Sequence, residues 1–97
     1  MTKARVPLRV GFVGCGRVTQ SLHLPALQRL PIAEVVAAAD ADSACLQRTA
    51  DRYRIAKRYA DAQALIADPA VDVVAVCVPP RFHAEIALAA LDAGKHV

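Results

Sequence analysis

The chain has 97 residues, of which 56% are hydrophobic and 22% charged, and its twelve Lys and Arg against nine Asp and Glu leave a net charge of +3. This length allows one small domain and excludes a two-domain enzyme, since domains average ~100–200 residues. The apolar content excludes a disordered chain, and no uncharged apolar run reaches the ~20 residues needed to span a bilayer.

The basic excess does not indicate a nucleic-acid site. The twelve basic residues are offset by nine acidic ones and form no dense patch, aromatic residues make up only 4% and Trp is absent. The chain therefore offers little material for stacking on bases. We expect no nucleic-acid partner and no membrane partner.

Cysteine usage points to a reducing compartment. The three cysteines, Cys15, Cys45 and Cys77, are widely spaced and form neither a disulfide framework nor a metal-binding knuckle. Residues 1–9 lack the apolar stretch of a signal peptide. We expect a cytoplasmic protein without a bound metal.

The first third of the chain predicts a strand, a broken helix and a second strand. Leu8–Val13 is a short run rich in β-branched residues that ends at a glycine. A helix is expected from about Gly16 to Leu30, kinked or split near Pro25, which lacks a backbone donor. Glu34–Ala39 predicts the second strand, with an acidic residue directly after it.

A second helix and a short third strand come next. Asp42 or Ser43 can cap a helix that extends to about Tyr53. Lys57–Tyr59 is too short for its pattern to be informative, and it is assigned as a strand from its place in the alternation.

The last third predicts a short helix, a buried strand and a longer helix. Asp61 can cap the helix Ala62–Ala67. Val71–Val78 is apolar at nearly every position, which is typical of a strand buried on both faces of a parallel sheet. Arg81–Ala93 predicts a helix that Gly94 can end in the left-handed conformation.

Strands and helices therefore alternate, which indicates an α/β fold of the Rossmann type, a doubly wound parallel sheet with about four strands and four helices. His96 and Val97 begin a further apolar run. We accordingly expect residues 1–97 to be a fragment of a longer protein, with an incomplete sheet.

The turn after the first strand has the pattern of a phosphate-binding loop, Gly14-Cys15-Gly16-Arg17-Val18-Thr19. Gly14 permits the tight turn, and Gly16 lets a pyrophosphate approach the backbone. The N–H groups of Gly16, Arg17 and Val18 would point at the phosphates from a helix N-terminus. Thr19 replaces the third glycine of the pattern, which affects helix–strand packing and not the phosphate contacts.

An acidic residue stands at the expected distance from this loop. Asp40 follows Thr19 by 21 residues at the end of the second strand, where ~20 is expected of the acid that binds the adenosine ribose. Asp42 adds negative charge and Ala41 offers no cation for a 2′-phosphate. NAD is thus favoured over NADP, although Asp40 could also be an ordinary polar strand terminus.

Three segments resemble one family, the oxidoreductases that include glucose–fructose oxidoreductase and inositol dehydrogenase: GFVGCGRVTQSLHLPAL, VVAAADAD and VDVVAVCVPPRFHAEIALAALDAGKHV. The resemblance covers about residues 8–97. It implies that Cys77, Val78 and Pro79 line the nicotinamide half of the cofactor site and that His83 faces the same crevice. Val78 departs from the Thr, Ser or Asn that the family often has.

The resemblance also implies the function. The complete protein would transfer a hydride between a nicotinamide cofactor and a hydroxyl-bearing carbon of a sugar, polyol or similar small molecule, and would be a homo-oligomer. The resemblance implies that residues 1–97 are the N-terminal part of the dinucleotide-binding domain and that the Glu-Lys-Pro motif and the C-terminal substrate domain lie outside them, so no catalytic residue is assigned. Two alternatives stay open: a non-catalytic module that senses the dinucleotide or docks a partner, and a methyltransferase.

Two side chains near the loop have competing interpretations. Cys15 could be a reactive thiol at a helix N-terminus or a small buried side chain beside a close-packed turn. His23 could lie near the cofactor cleft or only complete a kinked helix.

Overall fold

The computed structural model describes residues 8–16, 24–29 and 32–97. These residues form four strands and four helices in strict alternation. The elements are β1 (Leu8–Val13), α1 (Leu24–Gln28), β2 (Ala33–Ala39), α2 (Ser43–Arg52), β3 (Lys57–Tyr59), α3 (Ala62–Ile66), β4 (Val73–Val76) and α4 (Pro80–Asp92).

The four strands form one parallel sheet in the order β3-β2-β1-β4. Val13, the last residue of β1, pairs with Ala39 at the end of β2 and with Val76 at the end of β4. The carboxyl ends of these three strands therefore meet at one edge, and the winding direction reverses between β1 and β4. The predicted doubly wound Rossmann-type fold is confirmed.

Small residues at the centre of the sheet let the helices approach closely. Ala37, Ala38 and Ala39 are fully or almost fully buried. A Cβ on Gly11 would lie 2.8 Å from Leu65 Cδ2, so α3 packs onto β1 where that strand has no side chain. Burial on both faces explains why the strands are apolar without alternation.

The fourth strand is shorter than predicted, Val73–Val76 in place of Val71–Val78. At its start, the Val71 N–H bonds to the Asp68 carbonyl 3.1 Å away in a turn, and the Asp72 carboxylate accepts the backbone N–H of Arg9 at 2.9 Å. At its end, the Cys77 N–H still donates to the Val13 carbonyl before the chain turns into α4. A turn and a side-chain bond thus mark the start of β4, and one backbone bond to β1 continues past its last residue.

Helix boundaries agree closely with the sequence. The Asp42 carboxylate caps α2 by accepting the Cys45 N–H at 3.1 Å. Pro25 is the second residue of α1, where its missing donor costs little. Residues 17–23, the first part of the predicted first helix, lie outside the described residues.

The outer edge of β4 is partly paired. His96 forms a parallel bridge with Val73, in which its N–H donates to the Asp72 carbonyl and its carbonyl accepts the Val74 N–H. The apolar run predicted to begin at His96 thus enters the sheet beside β4.

Candidate cofactor-binding site

A crevice of about 440 Å³ opens at the carboxyl edge of the sheet. Such a volume is typical of small-molecule sites, and in open α/β sheets ligands bind at this edge where the winding reverses. The walls come from the ends of all four strands and from α4: Val13, Gly14, Gly16, Ala39–Ala41, Ala60–Ala62, Cys77–Pro79, Phe82 and Ile86.

Gly14 makes the turn out of β1 against the end of β4. Its φ of +99° is a conformation that L side chains rarely adopt. A Cβ at this position would overlap the carbonyl oxygen of Cys77. Its N–H donates to the Ala39 carbonyl at 2.8 Å, so the turn is also tied to β2.

Cys15 holds the glycine turn from inside the protein. It is fully buried, and its N–H donates to Asp40 Oδ2 at 2.8 Å. Its carbonyl accepts from Cys45 Sγ at 2.8 Å and from Thr49 Oγ1 at 3.4 Å. The N–H and the carbonyl of Cys15 are thus fixed by side chains of Asp40, directly after β2, and of α2, and the thiol does not line the crevice.

Burial decides the chemistry of the Cys15 thiol. Desolvation, followed by the nearby Asp40 carboxylate, raises its pKa from 9.0 to about 12. A thiol in this state is protonated at neutral pH and is a poor nucleophile. The geometry favours the buried structural interpretation over a reactive thiol.

Asp40 links the loop to the start of the second helix. Its Oδ2 accepts the Cys15 N–H and its Oδ1 accepts the Asp42 N–H, both at 2.8 Å. A carboxylate has about four acceptor sites, so two stay available on a half-buried group that lines the crevice. Asp40 can therefore hold the turn and accept ribose hydroxyls at once.

Gly16 borders open space. An added Cβ would meet no atom within 4 Å, and the residue lines the crevice. A phosphate group could approach the backbone here without a clash. Arg17, Val18 and Thr19, which complete the predicted loop, and His23 lie outside the described residues.

The turn from β4 into α4 forms the wall opposite β2. Cys77, Val78 and Pro79 all line the crevice. Val78 Cγ1 would lie 3.3 Å from a Cβ on Gly14, and Pro79 is the N-cap of α4 without a side-chain capping bond. The segment expected at the nicotinamide side is thus in contact with the glycine turn.

His83 does not line the crevice. Its Nε2 lies 2.9 Å from the carbonyl oxygen of Val76, the last residue of β4. Because a carbonyl only accepts, Nε2 carries the proton in this bond. His83 therefore contacts the end of β4 and not the crevice that the resemblance implied it would face.

Several lining residues were not predicted from the sequence. Asp61 was identified only as a helix cap, and its Oδ1 does accept the Ala64 N–H at 2.8 Å. Phe82 and Ile86 come from the first two turns of α4. Since parallel strands end at one edge, the residues that follow β3 could have been placed here by the same argument as Asp40.

The crevice carries negative charge where it borders β2 and β3. Asp40 and Asp61 both line it, and none of its described lining residues is basic. Within the described ranges, no three His, Cys, Asp or Glu side chains are grouped to hold a metal ion. In that part of the chain, no helix is long and apolar enough to cross a membrane.

The family model described as "Oxidoreductase family, NAD-binding Rossmann fold" matches residues 8–97. Among curated proteins, D-glucoside 3-dehydrogenase of Escherichia coli K12 is 40% identical over 91 residues, which are 94% of this chain and 26% of that protein. Galactose 1-dehydrogenase of Pseudomonas fluorescens is 32% identical over 91 residues, 94% of this chain and 28% of that protein.

Solved structures show the same fold with bound nicotinamide cofactors. KijD10, a 3-ketoreductase from Actinomadura kijaniata in complex with NADP and TDP-benzene, superimposes with a TM-score of 0.89 at 37% identity, covering 95% of this chain and 28% of that chain. An oxidoreductase from Agrobacterium radiobacter in complex with NAD+, L-tartaric acid and magnesium gives a TM-score of 0.88 at 27% identity, covering 93% of this chain and 26% of that chain.

The chain thus spans about a quarter of the length of these relatives. The family model covers nearly all of the chain, including both glycines, Asp40 and the turn after β4. The resemblance seen in the sequence is confirmed, and the chain belongs to the oxidoreductase family with the NAD-binding Rossmann fold.

Proposed function

We propose that this chain binds NAD(H) as the cofactor-binding part of an oxidoreductase. The whole protein would transfer a hydride between the nicotinamide ring and a hydroxyl-bearing carbon of a sugar, polyol or similar small molecule. The observation that carries the proposal is the bond between the Cys15 N–H and Asp40, which joins the phosphate-binding turn and the ribose-binding acid in one crevice.

The residues of the crevice fit a dinucleotide. Open space at Gly16 admits the pyrophosphate, to which the N–H groups of Gly16, Arg17 and Val18 would donate. The unused acceptor sites of Asp40 would take the adenosine ribose hydroxyls. Gly14 and Cys15 would shape the loop, and residues 77–79 would border the nicotinamide half.

Bound in this crevice, the cofactor would supply hydride transfer, while the protein binds and orients it. The contacts of the glycine turn support a fixed orientation. The Gly14 turn is held against β2 by one hydrogen bond and against residues 77–78 by close contact, so the loop and the β4 turn keep a fixed separation.

Charge favours NAD over NADP. A 2′-phosphate would enter the part of the crevice where Asp40 and Asp61 carry negative charge. Two like charges a few ångströms apart repel by ~1 kcal/mol in water and by more in a sheltered site. Relatives are known in complex with either cofactor, so the acidic pair is the specific reason to favour NAD here.

The proposals for the whole protein rest on the family and on the composition of the chain. We propose that residues 1–97 form the N-terminal part of the dinucleotide-binding domain and that a separate domain binds substrate. We further propose a cytoplasmic homo-oligomer whose partners are small molecules and not nucleic acid or membranes.

Titration of the purified protein with NADH, NADPH and S-adenosylmethionine tests the proposal. We expect NADH to bind more tightly than NADPH, and S-adenosylmethionine not to compete. Asp40→Ala should weaken NADH binding at least about tenfold, because it removes the ribose acceptor and the partner of the Cys15 N–H.

Asp51→Ala is the matched control, because Asp51 is an exposed carboxylate paired with Arg58 away from the crevice. If neither NADH nor NADPH bound, the proposal would be overturned. In the whole protein, NADH binding without oxidation or reduction of any sugar or polyol would favour the non-catalytic module.

A further inference from the structure

We propose that His83 is a positioning residue for the nicotinamide end of the crevice, which it controls through the last carbonyl of β4. The inference rests on the proposed function of the crevice as a dinucleotide site. It differs from the expectation that His83 faces the cofactor directly.

The β4–α4 turn is held by a backbone hydrogen bond on one side and by His83 on the other. The turn is held on its strand side by the Cys77 N–H, which donates to the Val13 carbonyl at 2.8 Å. On its helix side, Pro79 provides no side-chain cap. The imidazole of His83, in the first turn of α4, bridges back to the Val76 carbonyl at 2.9 Å and so closes the turn.

The closed turn holds one wall of the crevice in place. Its three residues, Cys77, Val78 and Pro79, line the crevice. The Cys77 carbonyl lies against the Cα of Gly14, where only a residue without a Cβ fits. A turn that loosened would therefore change both the wall of the crevice and its contact with the glycine turn.

Loosening this turn should affect one side of the crevice more than the other. Asp40 and Asp61 lie on the side of the crevice formed by β2 and β3, and the β4–α4 turn lies on the other side of β1. An altered turn should therefore disturb the half that takes nicotinamide more than the half that takes adenosine. A ligand that lacks nicotinamide is the natural comparison.

Two variants separate the hydrogen bond from the ring. His83→Phe keeps a ring and removes the donor, whereas His83→Gln removes the ring and keeps a donor at the same distance along the side chain. Glu85→Ala is the matched control, because Glu85 is an exposed residue of the same helix that does not line the crevice.

The test is the dissociation constant of each variant for NADH and for ADP-ribose, with the fluorescence of bound NADH as a second readout. For His83→Phe we expect NADH affinity to fall about fivefold, in line with the loss of one hydrogen bond, and ADP-ribose affinity to change less than about twofold. The emission of bound NADH should shift in the same variant. His83→Gln should restore both values.

Equal losses for NADH and ADP-ribose would overturn the inference, because they would show a general structural role. Unchanged NADH affinity and emission in His83→Phe would also overturn it. If the wild-type protein bound neither ligand, the proposed function itself would fail, so the two failures are distinguishable.

Discussion

Arg54 and Gly94 occupy the same position in the same helix-ending motif. After α2, the Ile55 N–H donates to the Ala50 carbonyl and the Arg54 N–H to the Asp51 carbonyl. After α4, the N–H groups of Lys95 and Gly94 make the equivalent bonds to Ala90 and Leu91. The central residue is left-handed in both, with φ of +57° at Arg54 and +78° at Gly94.

The comparison predicts that Arg54→Gly stabilises the protein. A side chain in the left-handed conformation costs ~1–2 kcal/mol, which glycine avoids at some entropic cost in the unfolded chain. We expect a gain of ~0.5–1 kcal/mol in the free energy of unfolding, measured by urea denaturation. Gly94→Ala should lose a similar amount, and a loss in both variants would contradict the explanation.

The two glycines of the turn should separate folding from binding. Gly16→Ala adds a Cβ that meets no atom within 4 Å. We therefore expect the free energy of unfolding to stay within about 0.5 kcal/mol of wild type, while NADH binding is lost. Gly14→Ala combines a strained φ with an overlap on the Cys77 carbonyl and should cost ~2–5 kcal/mol.

Calorimetric titration and urea denaturation of both glycine variants provide the check. NADH binding by Gly16→Ala at wild-type affinity would show that this residue is not beside the pyrophosphate.

Acid should destabilise the protein through Asp68. This buried carboxylate accepts from the Tyr59 hydroxyl at 2.7 Å, from the Ala70 N–H at 2.8 Å and from Lys57 Nζ at 3.0 Å. These bonds, that of Tyr59 first, lower its pKa from 3.8 to about 2. Since the folded pKa lies below the unfolded one, its stabilising contribution is present above about pH 4 and is lost as the pH falls toward 2.

Tyr59→Phe tests this origin of the acid sensitivity. We expect the variant to be ~1–2 kcal/mol less stable at pH 7, because it loses a hydrogen bond to a charged group. Its stability should fall less than that of wild type between pH 4 and pH 2, as followed by urea denaturation at each pH. The slope that remains would come from Asp68, which keeps its bonds from Ala70 and Lys57, and from Asp72, whose pKa is lowered by hydrogen bonds from Arg9. Equal slopes in both proteins would exclude the role of Tyr59.

Cys15 should resist thiol reagents in the folded protein. A doubly substituted chain, Cys45→Ser with Cys77→Ser, leaves Cys15 as its single thiol, and a serine at position 45 can still donate to the Cys15 carbonyl. We expect reaction at pH 7 to be at least about a hundredfold slower than in urea, because the thiol is buried and its pKa is raised to about 12. Fast labelling of the folded chain would revive the reactive-thiol interpretation.

The sequence was most informative where the cause of structure is local. Apolar runs that end at Gly14 or Asp40 marked two strands, and Gly94 marked the end of α4. The length of β4 was misjudged because its start depends on a contact between Asp72 and Arg9, which are 63 residues apart. The left-handed turn at Arg54 has no sequence signal, since glycine is absent there.

In the crevice too, residues marked by local spacing were predicted, whereas features that depend on distant contacts were not. Gly14, Gly16 and Asp40 were identified by spacing, and the structure brings them to one crevice with residues 77–79. The hydrogen bond of His83 could not be derived from its position in the helix, because the tertiary structure decides which backbone carbonyl the ring reaches. Asp61 was not predicted to line the crevice, because the sequence pattern around it indicates only a helix cap.

The absence of a side chain at Gly11 has a consequence for how the protein can vary. Because Leu65 fills the space that a Cβ would need, the thickness of the layer between sheet and α3 is set by a hydrogen atom. The same helix begins at Ala62, directly after its N-cap Asp61, and both residues border the crevice. A methyl group added at position 11 would therefore displace the end of the Leu65 side chain, in the same short helix whose first residue borders the crevice.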